Sequence, residues 1–352
     1  MKDEQNSLVL SDRKKTILFC AIDNYIKQAS PITSLLVQQT ELHDISTATI
    51  RNELSTLEAM GFLKQLHTSS GRVPTSQGYR FFVNEILKDA TYNERNLKIV
   101  KEKMFARTNS ISDIVESVAK TISDATNYPT VIMLDGLENL VIQSIKVMFM
   151  ISGQVLVLVD TNAGAISNTI SAPTNITRLD CDNASKIFTD IFGGQSVSFM
   201  MQNMDAFNSS IKNSMKNYEE VFKLVLEVLS AYQNNANSNV SNKSLIKMLE
   251  SPDITSVEKA KNILTVLDDK ESLQNVFDTS NEDGITVKIG QENKLEKLND
   301  CAVIKTPLII DGKKIATVGV IGPERIDYAT IASVLKYISD EIKNLNSDKG
   351  GR

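Results

Sequence analysis

The sequence predicts an α+β fold, and three observations carry that prediction. Apolar residues recur at helical spacing through the first sixty positions. Two short extended runs flank a Gly-containing loop just beyond them, and the rest of the 352-residue chain alternates helical with strand-like runs. A hydrophobic content of 41% suits ordinary globular cores, and the length allows two or three domains.

Ser11 is placed to cap a first helix whose Ile17, Leu18, Ala21, Ile22, Tyr25 and Ile26 share a face, ending near Ser30-Pro31. A short second helix is expected over Ile32 to Gln39. A tight connection, Leu42 to Ile45, leads to a third from Ser46 to Met60, with Gly61 where a C-terminal glycine belongs. The following runs around the polar loop His67 to Arg72 read as a two-stranded wing, and Thr75 to Leu87 as a helix leading out. Together these elements predict an N-terminal winged helix-turn-helix over 1–88, followed by a polar linker over 89–104.

Further along, Ile111 to Ile122 keeps the helical period and Thr130 to Leu134 reads as a strand. IQSIKVMFM, GQVLVLVD and AISNTISAP form three strand-like runs, with a helix at Ala184 to Phe192 against them. Ile211 to Tyr232 and Val257 to Leu267 are helical, separated by the Asn-rich stretch QNNANSNVSN. Strands follow at Ile285 to Ile289, Ala302 to Ile310 and Ile315 to Ile321, before a closing helix from Tyr328 to Ile342.

The net charge of −5 argues at first sight against a nucleic-acid partner. Its distribution changes that reading: residues 1–90 hold ten basic and ten acidic side chains, so the whole acidic excess lies outside the winged-helix segment. In the third helix, Ile50, Leu54 and Leu57 cluster on one face. The opposite side carries Ala48, Asn52 and Ser55, flanked by Thr49 and Arg51. Those types suit base edges: Asn for adenine, Arg for guanine, Ala or Thr for a thymine methyl. Ser46 and Thr47 at the helix start offer backbone N–H groups to phosphate. On the wing, Lys64, His67, Thr68, Ser69, Ser70 and Arg72 are expected to touch phosphate or the minor groove, and Arg80 to contact the backbone; Tyr79 reads equally as backbone contact or core. The alternative for the third helix alone is an ordinary amphipathic helix whose polar face meets water; the neighbouring wing favours the DNA reading.

These residues also carry a resemblance. ATIRNELSTLEAMGFLKQLHTSSGRVPTSQGYRFFV resembles the signature of the HrcA family of heat-inducible repressors of bacterial chaperone genes, in which an ATIRN-type helix runs into an HTSxGRVPTxxGYR wing. VKIGQEN (287–293) and GVIGPERIDY (319–328) are similar to the family's IGxEN and GPxRMDY motifs. Ile326 stands where Met is usual, and Glu324 where Thr or Ser is often found. The resemblance implies a GAF-like α/β domain, discontinuous over 105–139 and 211–352, and an α+β dimerisation domain inserted at 140–210. It further implies a homodimer on an inverted-repeat operator in double-stranded DNA, preventing transcription until heat stress, with the chaperonin GroEL as modulator.

Since GAF-like domains often bind small ligands, two readings stand for Gly290, Glu292, Asn293 and the turn 322–325: pocket lining, or the fixing of strand-to-helix turns, which is favoured because Gly and Asn have a local explanation there. Arg325 and Asp327 are expected to make local contacts at the start of the last helix. Neither catalysis, metal nor cofactor is expected: there is no Walker loop or zinc-protease helix, and His43 and His67 are the sole histidines. The acidic pair Asp268 and Asp269 reads as solvated charge. Cys20, Cys181 and Cys301 lie far apart and odd in number, as expected of reduced thiols in the cores of a cytoplasmic protein, and no apolar run of membrane-spanning length occurs.

Overall fold

The computed structural model describes residues 10–66, 71–88, 111–134, 140–162, 164–203, 217–235, 242–278, 284–310 and 313–344. The expected linker and the wing loop 67–70 lie outside the described residues.

At the N-terminus, α1 (Asp12–Gln28) buries Ile17, Leu18, Ala21 and Ile22. Ser11 occupies the cap position with extended backbone, yet its side chain makes no cap hydrogen bond. The second helix starts later than the sequence suggests: α2 spans Ser34–Thr40, capped by Thr33. Ile32 is withdrawn from it by an antiparallel bridge to Arg72, in which each residue's N–H donates to the other's carbonyl at 2.7 and 2.9 Å. A backbone committed to a strand partner cannot also open a helix. α3 (Thr47–Ala59) is capped by Ser46, whose hydroxyl accepts from Thr49 N–H. β1 (Leu63–Gln65) and β2 (Arg72–Pro74) pair antiparallel as the wing. α4 (Ser76–Lys88) then returns over α1, where Phe19 stacks edge-on against Phe82 at 5.2 Å.

The body is an antiparallel sheet whose strands come from distant parts of the chain. α5 (Ile111–Thr126) leads into β3 (Thr130–Leu134), and the chain returns to this sheet only with β7 (Thr286–Ile289), β8 (Cys301–Ile310) and β9 (Lys313–Pro323), in the order β3-β9-β8-β7. Side chains alternate between two cores, as a period of two requires. Ile132, Ile304, Val318 and Val320 join Val118 and Ile122 of α5 and Ile331, Leu335 and Ile338 of α12 (Tyr328–Asn344). Val131, Met133, Val303 and Ile321 face Met248, Ile263, Val266 and Phe277, contributed by α9 (Asn242–Leu249), α10 (Val257–Asp268) and α11 (Lys270–Phe277).

Between β3 and β7 lies a second unit: β4 (Ile142–Phe149), β5 (Gln154–Thr161) and β6 (Gly164–Ser171) form an antiparallel sheet backed by α6 (Arg178–Phe192). The start of α6 precedes the expected Ala184 because Thr177 and Asp180 form a reciprocal capping box. α7 (Val197–Gln202) follows, and α8 (Tyr218–Asn235) packs back on α6 through Phe222, edge-on to Phe188 at 5.2 Å. The border expected at 210 thus falls between α8 and the helix it packs on. Residues 211–216 of the expected helix lie outside the described residues.

Candidate nucleic-acid interface

The third helix presents the two faces its sequence predicts. Ile50, Leu54 and Leu57 are buried, while Ser46, Ala48, Arg51, Asn52 and Ser55 are exposed, with Thr47 and Thr49 half-buried. Its seating is stronger than apolar packing alone supplies. Glu53, on the inner side and 9% exposed, pairs with Arg13 Nε and Lys14 Nζ of α1, both at 3.1 Å. Ahead of the helix, Gln38 Nε2 donates to Ile45 O at 2.8 Å and holds the turn between α2 and α3. Neither anchor was anticipated; Glu53 is one residue from Asn52, so at a helical 100° step a single turn supplies both the outward amide and the inward carboxylate.

On the wing, Lys64 is exposed on β1. His67, Thr68, Ser69 and Ser70 fall outside the described residues. Arg72 pairs with Gln65 at the loop end of the β1–β2 ladder, and its side chain turns back to α3: Nε donates to Glu58 Oε2 and Nη2 to Ser55 Oγ, both at 2.8 Å, with 15% of its side chain exposed. Its guanidinium thus ties the wing to the back half of α3. An arginine held by two partners this way braces the wing against the helix.

Arg80, half-buried, is engaged by the body. Nε donates to Glu292 Oε1 at 2.8 Å and Nη2 to Val287 O at 2.6 Å, with a second carboxylate contact to Glu292 Oε2. Its neighbour Tyr79, 2% exposed, lies 5.6 Å from the ring of Tyr328. α4 is therefore one contact between head and body. Ser76 Oγ donates to Glu324 Oε1 at 2.7 Å, and Arg325, bound to Asp253, donates from Nη1 to Ile26 O at the end of α1 at 2.6 Å. Arg325 was expected to make a local contact; it reaches instead across to the head, while Asp327 does stay local and caps α12 by accepting from Thr330 N–H at 3.0 Å.

The tail motifs have turn geometry. Gly290 has φ +57°, and a Cβ there would stand 2.4 Å from Glu324 Oε1. Asn293 Nδ2 donates to the carbonyls of Gly290, Leu298 and Cys301 at 2.9 to 3.2 Å, pinning the turn after β7. The cavity beside this turn, between Asp253, Lys259, Asp300, Cys301 and Pro323, has a volume near 40 Å³, the size of a bound water rather than of a small-molecule ligand. Asp269, expected to be mere solvated charge, caps α11 by accepting from Ser272 N–H, and this hydrogen bonding lowers its pKa. Burial pushes the thiol of Cys181 up to about 11 and that of Cys301 up to about 12, which makes both poor nucleophiles. No described helix is long and apolar enough to cross a membrane.

Comparison with known proteins gives a consistent picture. Residues 112–332 match the family model described as the HrcA protein C terminal domain. The chain is 31% identical over 340 residues to the heat-inducible transcription repressor HrcA of Acetivibrio thermocellus, covering 96% of each. Its identity to the same-named protein of Caldanaerobacter subterraneus subsp. tengcongensis is 32% over 344 residues, covering 96% of this chain and 97% of the other. A crystal structure described only as a hypothetical protein superposes with a TM-score of 0.73 at 21% identity, covering 96% of this chain and 98% of that one. That likeness speaks for the fold alone.

Proposed function

This chain belongs to the HrcA family of heat-inducible transcription repressors, and from that premise we propose that it represses heat-shock genes as a homodimer gripping an inverted-repeat operator. The observation that carries the reading is the exposed row Ala48, Arg51 and Asn52 on a helix locked from behind by Glu53 and from the side by Arg72. A rigid helix with small and polar outward side chains can enter a major groove without reorganising. In this reading Arg51 and Asn52 read base edges, and Ser46, Thr47 and Thr49 bring the helix N-terminus to phosphate. Lys64 and the segment His67 to Ser70 reach the flanking backbone. Arg72 acts by holding Ser55 and the wing in register, and Arg80 by holding the head on the body.

Dimerisation is assigned to the inserted unit. Its sheet buries one face beneath α6 and leaves the other open, where Met148 is exposed and Leu156 and Leu158 are half-buried, beside the hairpin residue Ile151, which is 100% exposed. Two-fold symmetry would then match a palindromic site. We further assign modulation by the chaperonin GroEL, for which exposed apolar side chains such as Ile151 and Val257 offer a surface.

The test is a gel shift with an inverted repeat from upstream of chaperone genes against a scrambled duplex, with and without GroEL. Selective retardation of the inverted repeat supports the reading; equal binding to both duplexes overturns it.

A further inference from the structure

The head is fixed to the body at points that do not lie on one element. Ser76, in the first turn of α4, meets Glu324; Arg80, one turn later, meets Glu292 and Val287 O; and the C-terminal end of α1 receives Arg325 at Ile26 O. Between them Tyr79 packs against Tyr328, so a buried aromatic pair is flanked by charge-assisted bonds. One contact would leave a hinge. Contacts on both α1 and α4, around a packed aromatic pair, remove rotation about any single axis.

This arrangement has a consequence for operator choice. We propose that the clamp formed by Glu292 with Arg80, and by Arg325 with Ile26 and Asp253, sets the half-site spacing and rotational phase that the repressor accepts. The inference rests on the homodimer reading above. If the bodies are joined and each head is rigid on its body, the two recognition helices are held at one separation and one relative angle. An extra base pair between half-sites moves the second by about 3.4 Å and turns it by about 34°. A head that cannot rotate then pays that mismatch in lost contacts, whereas a head free to swivel does not. Glu292, Arg325 and Asp253 are thus positioning residues for DNA recognition. They lie on the body, and none is placed against DNA.

The experiment uses the full-length protein and a duplex that the wild type selects from random DNA. From this duplex a series is made with one or two base pairs inserted or deleted at the centre, together with a duplex carrying a single half-site. The wild type is expected to lose about tenfold or more in affinity for each altered spacer. The double variant Glu292→Ala with Arg325→Ala is expected to bind all the spacers within about threefold of one another, and the single half-site as the wild type does. If the double variant folds, shown by an unchanged circular dichroism spectrum, and keeps the wild-type profile, the clamp does not set spacing and the inference is overturned. Weaker binding to the single half-site overturns it too, since the clamp would then shape the reading head itself. A wild type that shows no spacing preference sinks the dimer reading along with it, which separates the two failures.

Discussion

Removing Arg72 distinguishes a brace from a phosphate ligand. The Arg72→Ala variant deletes an ion pair to Glu58 and a hydrogen bond to Ser55, each at 2.8 Å, from a site where 15% of the arginine side chain and 32% of the glutamate remain exposed. Fully exposed pairs contribute under about 1 kcal/mol and hydrogen bonds to charged groups about 1.5 to 3 kcal/mol, so the half-buried pair is worth about 1 to 2 kcal/mol. The orphaned Glu58 can still reach water, which keeps the loss below that of a buried, uncompensated charge. The head should unfold a few degrees earlier in thermal melts. Operator affinity measured by fluorescence anisotropy should fall, because Ser55 and the wing lose their register. The slope of log affinity against log salt should hardly change. A lost phosphate contact would instead lower that slope by about 0.9 with no effect on melting. Observing that pair of results would refute the brace.

Other perturbations address the remaining links. Arg51→Ala and Asn52→Ala should each cost about 1 to 3 kcal/mol of operator binding and relax base preference at one position, read from binding to a panel of single-base operator variants. Gly78→Ala would place a Cβ 2.3 Å from the carbonyl oxygen of Phe62, a backbone contact that cannot swing away. Overpacking of this kind costs about 1 to 3 kcal/mol or more, measurable as a lower midpoint in urea. Phe222→Ala should cost about 3 to 5 kcal/mol in the inserted unit and shift the protein toward monomer in light scattering; an unchanged dimer would detach α8 from that unit. Burial raises the carboxyl of Glu324 above its ordinary range. Because the folded value exceeds the unfolded one, its contribution is fully present below the unfolded value and is lost as pH rises through the folded value. Glu324→Gln, which keeps an acceptor for Ser76, should flatten that part of the pH dependence of stability; an unaltered profile would show that Glu324 does not cause it.

Much of the head was legible because its signals are local. A capping serine, the 3.6-residue spacing of Ile50, Leu54 and Leu57, and extended runs around a glycine loop each act within a few residues. The strands of the body were legible for the same reason, since alternation along Ala302 to Ile310 is a property of that segment alone. What was missed depends on distant partners. Ile32 is taken from α2 by a strand forty residues away. Phe222 of α8 packs on Phe188, thirty-four positions earlier, and no periodicity records that. α9 and α11 are eight-residue helices, too short to establish a period.

The site divides along the same line. Which side chains face outward on α3 follows from helix geometry. Which cations remain free does not, because it depends on where each carboxylate lies in space. Arg72 and Arg80 look alike in sequence, basic residues beside a recognition helix. Glu58 and Glu292 engage the two arginines, and nothing in the spacing of 212 residues between Arg80 and Glu292 announces their meeting. The motif 287–293 thus has a purpose its turn chemistry alone did not reveal: it holds the head.

Whether a rigid recognition helix presents Arg51 and Asn52 to an operator can be read from the affinity of the full-length protein for an inverted repeat from upstream of chaperone genes and for a scrambled duplex at one fixed salt concentration, with wild type and an Arg51→Ala, Asn52→Ala double variant. The wild type should prefer the inverted repeat by about 10³-fold or more, and the double variant should lose most of that preference while keeping its binding to scrambled DNA. Equal affinity of the wild type for both duplexes, or a double variant that discriminates as well as the wild type, would contradict that role for the helix.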